Sequence, residues 1–82
     1  MNLREKIIDQ LANNEGGLDI IDLGKKLGLE WNDPELSVEV ARLQHDDIIV
    51  MSKKFNTVYE PDGSPGYAPI FILSNPARIK VL

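Results

Sequence analysis

Two lysine pairs, Lys25-Lys26 and Lys53-Lys54, bracket a stretch whose only cation is Arg42, with Ser37 and Gln44 nearby. Lysine and arginine grip phosphate oxygens, arginine can pair with guanine, and serine or glutamine adds weaker polar contacts to base edges. Lys25, Lys26, Ser37, Arg42, Gln44, Lys53 and Lys54 are therefore the candidate nucleic-acid contacts. Glu35 and Glu39 oppose them, because each approaches a phosphate-lined groove at a cost in repulsion and desolvation. A carboxylate can still accept from cytosine, so acid in a reading helix is unfavourable without being disqualifying.

His45-Asp46-Asp47 suggests a metal site or a general base. The chain has one histidine and no cysteine, which gives a structural zinc site poor support, and the calcium-loop ligand pattern is missing. An exposed histidine at a helix end is the expected reading. Ser37 and Ser52 lack a sequence feature identifying an activating base, and Gly16-Gly17 lacks the longer glycine pattern and lysine of a phosphate loop. The expectation is a protein with no catalytic residues, no metal and no cofactor.

These residues must be positioned by a small core. Eighty-two residues suffice for one domain, and without cysteine its stability has to come from packing. Thirteen acids against nine bases give a net charge of -4, which opposes non-specific attraction to phosphate polymers. Residues 1–47 hold eleven acids and five bases, and residues 48–82 hold two acids and four bases. Any electropositive surface is thus expected in the C-terminal half or where it meets one helix. The start lacks a signal-peptide pattern, and runs such as Ile48-Ile49-Val50-Met51 are far short of a membrane span. A cytoplasmic protein without membrane contact is the default.

Leu3, Ile7, Ile8 and Leu11 recur at three and four, the spacing of a one-sided helix, with Asn2 and Glu5 as its N-terminal cap. The run from Asn13 to Gly17 is expected to end it through glycine. Leu18-Asp19-Ile20 is either a short strand or the entry to a second helix built on Ile20, Leu23 and Leu27 and closed by Gly28. Gly24 inside that helix marks a close helix contact, since glycine costs up to about 1 kcal/mol there relative to alanine. Asp33 and Pro34 predict the start of a third helix over 33–46, whose Leu36, Val40 and Leu43 face the core. From Ile48 the β-branched and aromatic residues predict a strand, Glu60 to Gly66 a loop, and Tyr67 to Leu73 a returning strand. Residues 74–82 fit neither a helix nor a strand well and form an undecided extension.

Helix, short strand or turn, helix, turn, helix, hairpin is the order of a winged helix, and two segments are similar to that family locally. Ile21-Asp22-Leu23-Gly24-Lys25-Lys26-Leu27-Gly28-Leu29 resembles the second helix and turn of bacterial and archaeal winged helix-turn-helix regulators. Leu43-Gln44-His45-Asp46-Asp47-Ile48-Ile49 resembles the end of the recognition helix running into the first wing strand. The segment between Gly28 and Leu43 is about two residues longer than the compact bacterial pattern. Asp46-Asp47 stands where a glycine is common, and a different turn geometry is expected there. The resemblance implies an α+β fold, a three-helix core followed by a β-hairpin wing, as a single domain over 1–82.

The function implied is sequence-dependent binding of double-stranded DNA by a small transcriptional regulator, with helix 33–46 in the major groove and wing 53–66 on the backbone. The alternative is a protein-protein interaction module that uses the acidic helix or the wing. Plainer readings stand beside both. The lysine pairs suit solvated surface, Arg42 can pair with Glu39 or Asp46, Trp31 can cap the gap between helices two and three, and Tyr59 and Tyr67 can be cross-strand partners. Arg78 and Lys80 add bases if the tail folds back. A homodimer is expected from apolar residues near the ends, Leu3, Ile79, Val81 and Leu82.

Overall fold

The computed structural model describes residues 1–74, so the expectations for Arg78, Ile79, Lys80, Val81 and Leu82 lie outside the described residues. The chain runs α1 (Leu3–Ala12), β1 (Leu18–Asp19), α2 (Ile20–Leu27), α3 (Pro34–His45), β2 (Ile49–Tyr59) and β3 (Pro65–Leu73). The three strands form one antiparallel sheet in the order β1-β3-β2. The described residues form a small α+β arrangement of three helices and a three-stranded sheet. Among the described residues, no helix is long and apolar enough to cross a membrane.

Local signals start α1 and α3 where the sequence places them, and a similar cap starts α2, whose entry the sequence leaves open. The Asn2 side chain accepts from the Glu5 amide, Asp19 from the Asp22 amide, and Asp33 from the amides of Glu35 and Leu36. Each carboxylate or amide oxygen thereby satisfies donors that the first helical turn leaves without partners. Pro34 occupies the first position of α3, where a missing donor costs nothing. Leu18-Asp19 resolves as a strand that passes directly into α2, so Asp19 is at once a strand residue and a helix cap.

One core joins both layers. Ile7 and Leu11 of α1, Leu23 of α2, and Leu36, Val40 and Leu43 of α3 meet Leu18, Ile49, Phe71 and Leu73 from the sheet. The helical stripe at 36, 40 and 43 faces inward because those positions fall on one side of a 3.6-residue turn.

Three local expectations need correction. First, α1 does not end in a left-handed glycine: Asn13 closes it in a right-handed conformation, and the Asn14 side chain donates to the Gln10 carbonyl. The left-handed glycine, Gly17 at φ 89°, instead lets the chain pass against β3. Second, the hairpin has a shorter loop than Glu60 to Gly66. Its strands pair from Ile49 opposite Leu73 out to Tyr59 opposite Pro65, so only Glu60–Ser64 remains as the tip. Pro65 begins β3, where a residue without an amide hydrogen is tolerated.

Third, Asp46-Asp47 needs no unusual turn. The Ile48 amide donates to the Leu43 carbonyl at 2.9 Å and the Asp47 amide to the Gln44 carbonyl at 3.1 Å, while Asp47 takes φ 58°. This is the paired-bond helix ending that glycine usually makes, and Gly28 makes its counterpart after α2, where the Leu29 amide reaches the Gly24 carbonyl. Asp47 fills the left-handed position because aspartate tolerates it better than most residues. Asp47→Gly is accordingly expected to stabilise the fold by up to about 1 kcal/mol, the relieved left-handed strain outweighing added unfolded-chain freedom. Thermal unfolding followed by circular dichroism checks the sign.

Gly24 does mark a close approach, to the connecting turn and not to a helix: a β-carbon there would lie 2.8 Å from the Leu29 carbonyl oxygen.

Candidate interaction surfaces

The seven candidate nucleic-acid contacts lie on three elements, α2, α3 and β2. Lys25 and Lys26 are exposed on the last turn of α2, where their charge suits the negative end of the helix dipole. Lys53 and Lys54 are exposed on β2 within its irregular segment between Met51 and Phe55, and the Lys54 amide is tied to the Ser52 hydroxyl. On α3, Ser37 and Gln44 share one flank because they are seven residues, almost two turns, apart. Arg42 lies roughly 140–160° around the helix from both, counting about 100° per residue. Among the described residues, no side-chain hydrogen bond or ion pair joins any of the seven to another.

Arg42 does find a partner, Glu39, with Nη1 3.3 Å from Oε1. The other Glu39 oxygen, Oε2, is shut away from solvent without a hydrogen-bond partner. The same flank opens a groove of about 360 Å³ against the start of α1, lined by Leu3, Pro34, Glu35, Val38, Glu39 and Arg42. Acidic and apolar groups thus dominate the side of α3 nearest Arg42. The carboxylates of Glu35 and Glu39 beside Arg42 disfavour the approach of a phosphate.

At the other end of α3, Arg4 reaches across from α1 to Asp46, with Nη2 2.9 Å from Oδ2. That hydrogen bond holds the Asp46 carboxyl below its ordinary range. His45 is almost fully exposed, and its Nδ1 lies 3.7 Å from Asp46 Oδ1. Among the described residues, no group of three or more histidines, cysteines or acids is placed to hold a metal ion.

The hairpin carries the surface that sequence reasoning missed. Beyond the irregular segment, Phe55 stands opposite Pro69, Thr57 opposite Tyr67 and Tyr59 opposite Pro65, and opposed residues of antiparallel strands project to the same side. Phe55, Tyr59 and Tyr67 are 61%, 76% and 70% exposed, values far outside those of core aromatics. Along β3 this row continues the one that carries Phe71 and Leu73 into the core, so the sheet's inward face runs out past the helices uncovered. Tyr59 and Tyr67 are therefore not directly opposed. Tyr67 instead meets Phe55 edge to face, with ring centroids 6.5 Å apart. Nor does Trp31 cap helices two and three, because the turn between them leaves it 56% exposed.

The opposite face of the hairpin is anchored. Asp19 is 3% exposed, and while Oδ1 caps α2, Oδ2 accepts from the Asn56 side chain at 2.5 Å. The bond spans the sheet over Ala68, whose small side chain sits beside Asn56 in the register. One buried carboxylate thereby fixes the base of the wing to the start of α2. The tip is fixed too: Asp62 accepts from the Ser64 hydroxyl and amide, which lowers its pKa.

No protein-family model, curated protein or solved structure matches the chain.

Proposed function

We propose that this chain is a winged-helix protein-interaction module whose wing offers the Phe55, Tyr59 and Tyr67 face to a protein partner. The single observation behind the reading is that exposed aromatic face, held on a hairpin that the Asp19–Asn56 bond braces. Aromatic side chains are the commonest anchors of protein interfaces, because they remove large apolar area from water at little cost in rotamer freedom. The pairing of β1 with β3 and the order of the helices agree with the winged arrangement that the sequence resembles. The net charge of -4 and the acidic groove on α3 support a protein over a nucleic acid as the partner.

A second reading, double-stranded DNA binding by a cytoplasmic regulator, is favoured by the exposure of Lys53 and Lys54 on the wing. A duplex would meet them as backbone contacts. Two measurements on the full chain separate the readings. Mixed-sequence duplex DNA at low salt is expected to show no salt-dependent binding. Capture of a protein from the source cells is expected to fall by about tenfold or more when Phe55 and Tyr67 are both replaced by serine, each truncation removing roughly 1 kcal/mol or more, with the melting temperature unchanged. DNA binding that weakens steeply with salt and is lost in Lys53→Ala/Lys54→Ala would overturn the proposal in favour of the second reading.

A further inference from the structure

Among the described residues, the sheet order leaves β2 at an edge, with one row of backbone donors and acceptors turned away from β3. Proteins usually blunt such an edge with lysine, proline or a bulge. Here those devices lie in the first half of the strand, as Lys53, Lys54 and the irregular segment between Met51 and Phe55. From Phe55 to Tyr59 the edge is regular, uncharged and without proline. Charge points the same way. Residues 1–47 carry eleven acids and five bases, but the hairpin over 49–73 sets Lys53 and Lys54 against Glu60 and Asp62 and is neutral. The hairpin therefore adds no net charge repulsion between two copies.

We infer that a second copy of this chain docks on β2, the two strands pairing antiparallel about a two-fold axis through Thr57. Parity restricts the register. Backbone groups along a strand alternate in direction, so a strand paired with its own copy places residues of like parity opposite each other, and one residue faces itself. Centring on Thr57 sets Phe55 opposite Tyr59 of the second copy and Lys54 opposite its Glu60, and the two-fold axis makes each pairing twice. A centre on Asn56 sets Lys53 against Tyr59 and Phe55 against Thr57, and a centre on Val58 sets Lys54 against Asp62 but Phe55 against Pro61 and Tyr59 against Thr57. Only the Thr57 register joins aromatic to aromatic and base to acid. The result is a six-stranded sheet in which the two aromatic faces run together. This pairing goes beyond the proposed function, because it uses the backbone edge and leaves the aromatic face open to another protein.

The chain has no cysteine, so a single introduced thiol reports the register. Directly opposed residues have Cα atoms about 4.5–5.5 Å apart, within the span of a disulfide. Thr57→Cys is expected to oxidise to a covalent dimer about tenfold faster or more than Asp62→Cys at the tip or Lys53→Cys, both placed too far from their counterparts in this register. Sedimentation equilibrium of the unaltered chain is expected to show a dimer. Lys54→Glu weakens it by about tenfold, since each copy then meets acid with acid, and Lys54→Glu/Glu60→Lys restores it. A monomer at every concentration, equal oxidation rates at the three positions, or a dimer indifferent to Lys54→Glu would each overturn the inference. Loss of the dimer with protein capture intact would leave the proposed function standing.

Discussion

Leu43→Ala is expected to remove about 3 kcal/mol of stability, the usual cost of truncating a fully enclosed leucine whose surroundings cannot collapse. Leu43 has no exposed surface and lies on α3 between α1 and the sheet, so the lost methyl groups leave a hole bounded by two layers. A chain of this size has roughly 4–12 kcal/mol in total, so the loss is a large share of it. The melting temperature should fall by about 10–25 °C. Val38→Ala on the same helix is the control: Val38 is 48% exposed, and its truncation should change stability by no more than about 0.5 kcal/mol. Similar losses at both positions would mean that α3 is turned differently from the orientation that creates its acidic groove. Denaturant unfolding with unchanged slope measures both.

Gly17→Ala is expected to cost about 2–4 kcal/mol, combining a left-handed backbone with a contact that cannot open. A β-carbon at Gly17 would meet Ile70 Cγ2, the Phe71 carbonyl oxygen at 2.5 Å and Ile72 Cγ2 at 2.7 Å. The carbonyl belongs to the central strand, which is paired on both sides, so it cannot swing away without breaking the sheet. Gly16→Ala, one residue earlier, meets nothing within 4 Å and has no left-handed φ, and it should be neutral or slightly stabilising. The contrast isolates the requirement that the chain leaving α1 pass flush against β3 before β1 begins. If both substitutions are tolerated, β1 does not pair with β3 as described, and the Asp19 clasp on Asn56 loses its foundation.

The helices were legible because their signals are local. Asn2, Asp19 and Asp33 each accept from amides within three residues, and the 36, 40, 43 stripe follows from helical period alone. Gly24 announced a close approach for the same reason, although the neighbour is a turn and not a helix. The hairpin was legible in kind and in extent, but not in where its loop ends. Loop signals cluster from Glu60 to Gly66, and composition does not reveal how far backbone pairing continues into a segment containing Pro65 and Gly66. Asp47 misled because a left-handed residue after a helix is read as glycine, whereas this turn is closed by bonds from Asp47 and Ile48 that any tolerant residue permits.

The candidate site was legible mainly as a set of residue types. Lysine, arginine, serine and glutamine are what phosphate and base contacts require, but convergence depends on which face each element turns outward. Arg42 is drawn to Glu39 on one flank of α3, and Ser37 and Gln44 lie on another. The aromatic face went unseen because Phe55, Tyr59 and Tyr67 look like ordinary strand residues. Their exposure arises only because the helices stop short of the outer hairpin, a matter of relative element lengths in three dimensions.

By itself, then, the sequence determined the starts of α1 and α3, the inward stripes, the approximate hairpin and the acidic balance, since these depend on neighbours within a turn or two or on composition. Tertiary structure decided what meets what: Asp19 with Asn56 across the sheet, Arg4 with Asp46 between helices, Phe55 with Tyr67 on the wing. Those contacts join residues 12 to 42 positions apart in sequence, and only the register of the sheet and the packing of α1 on α3 bring them within reach.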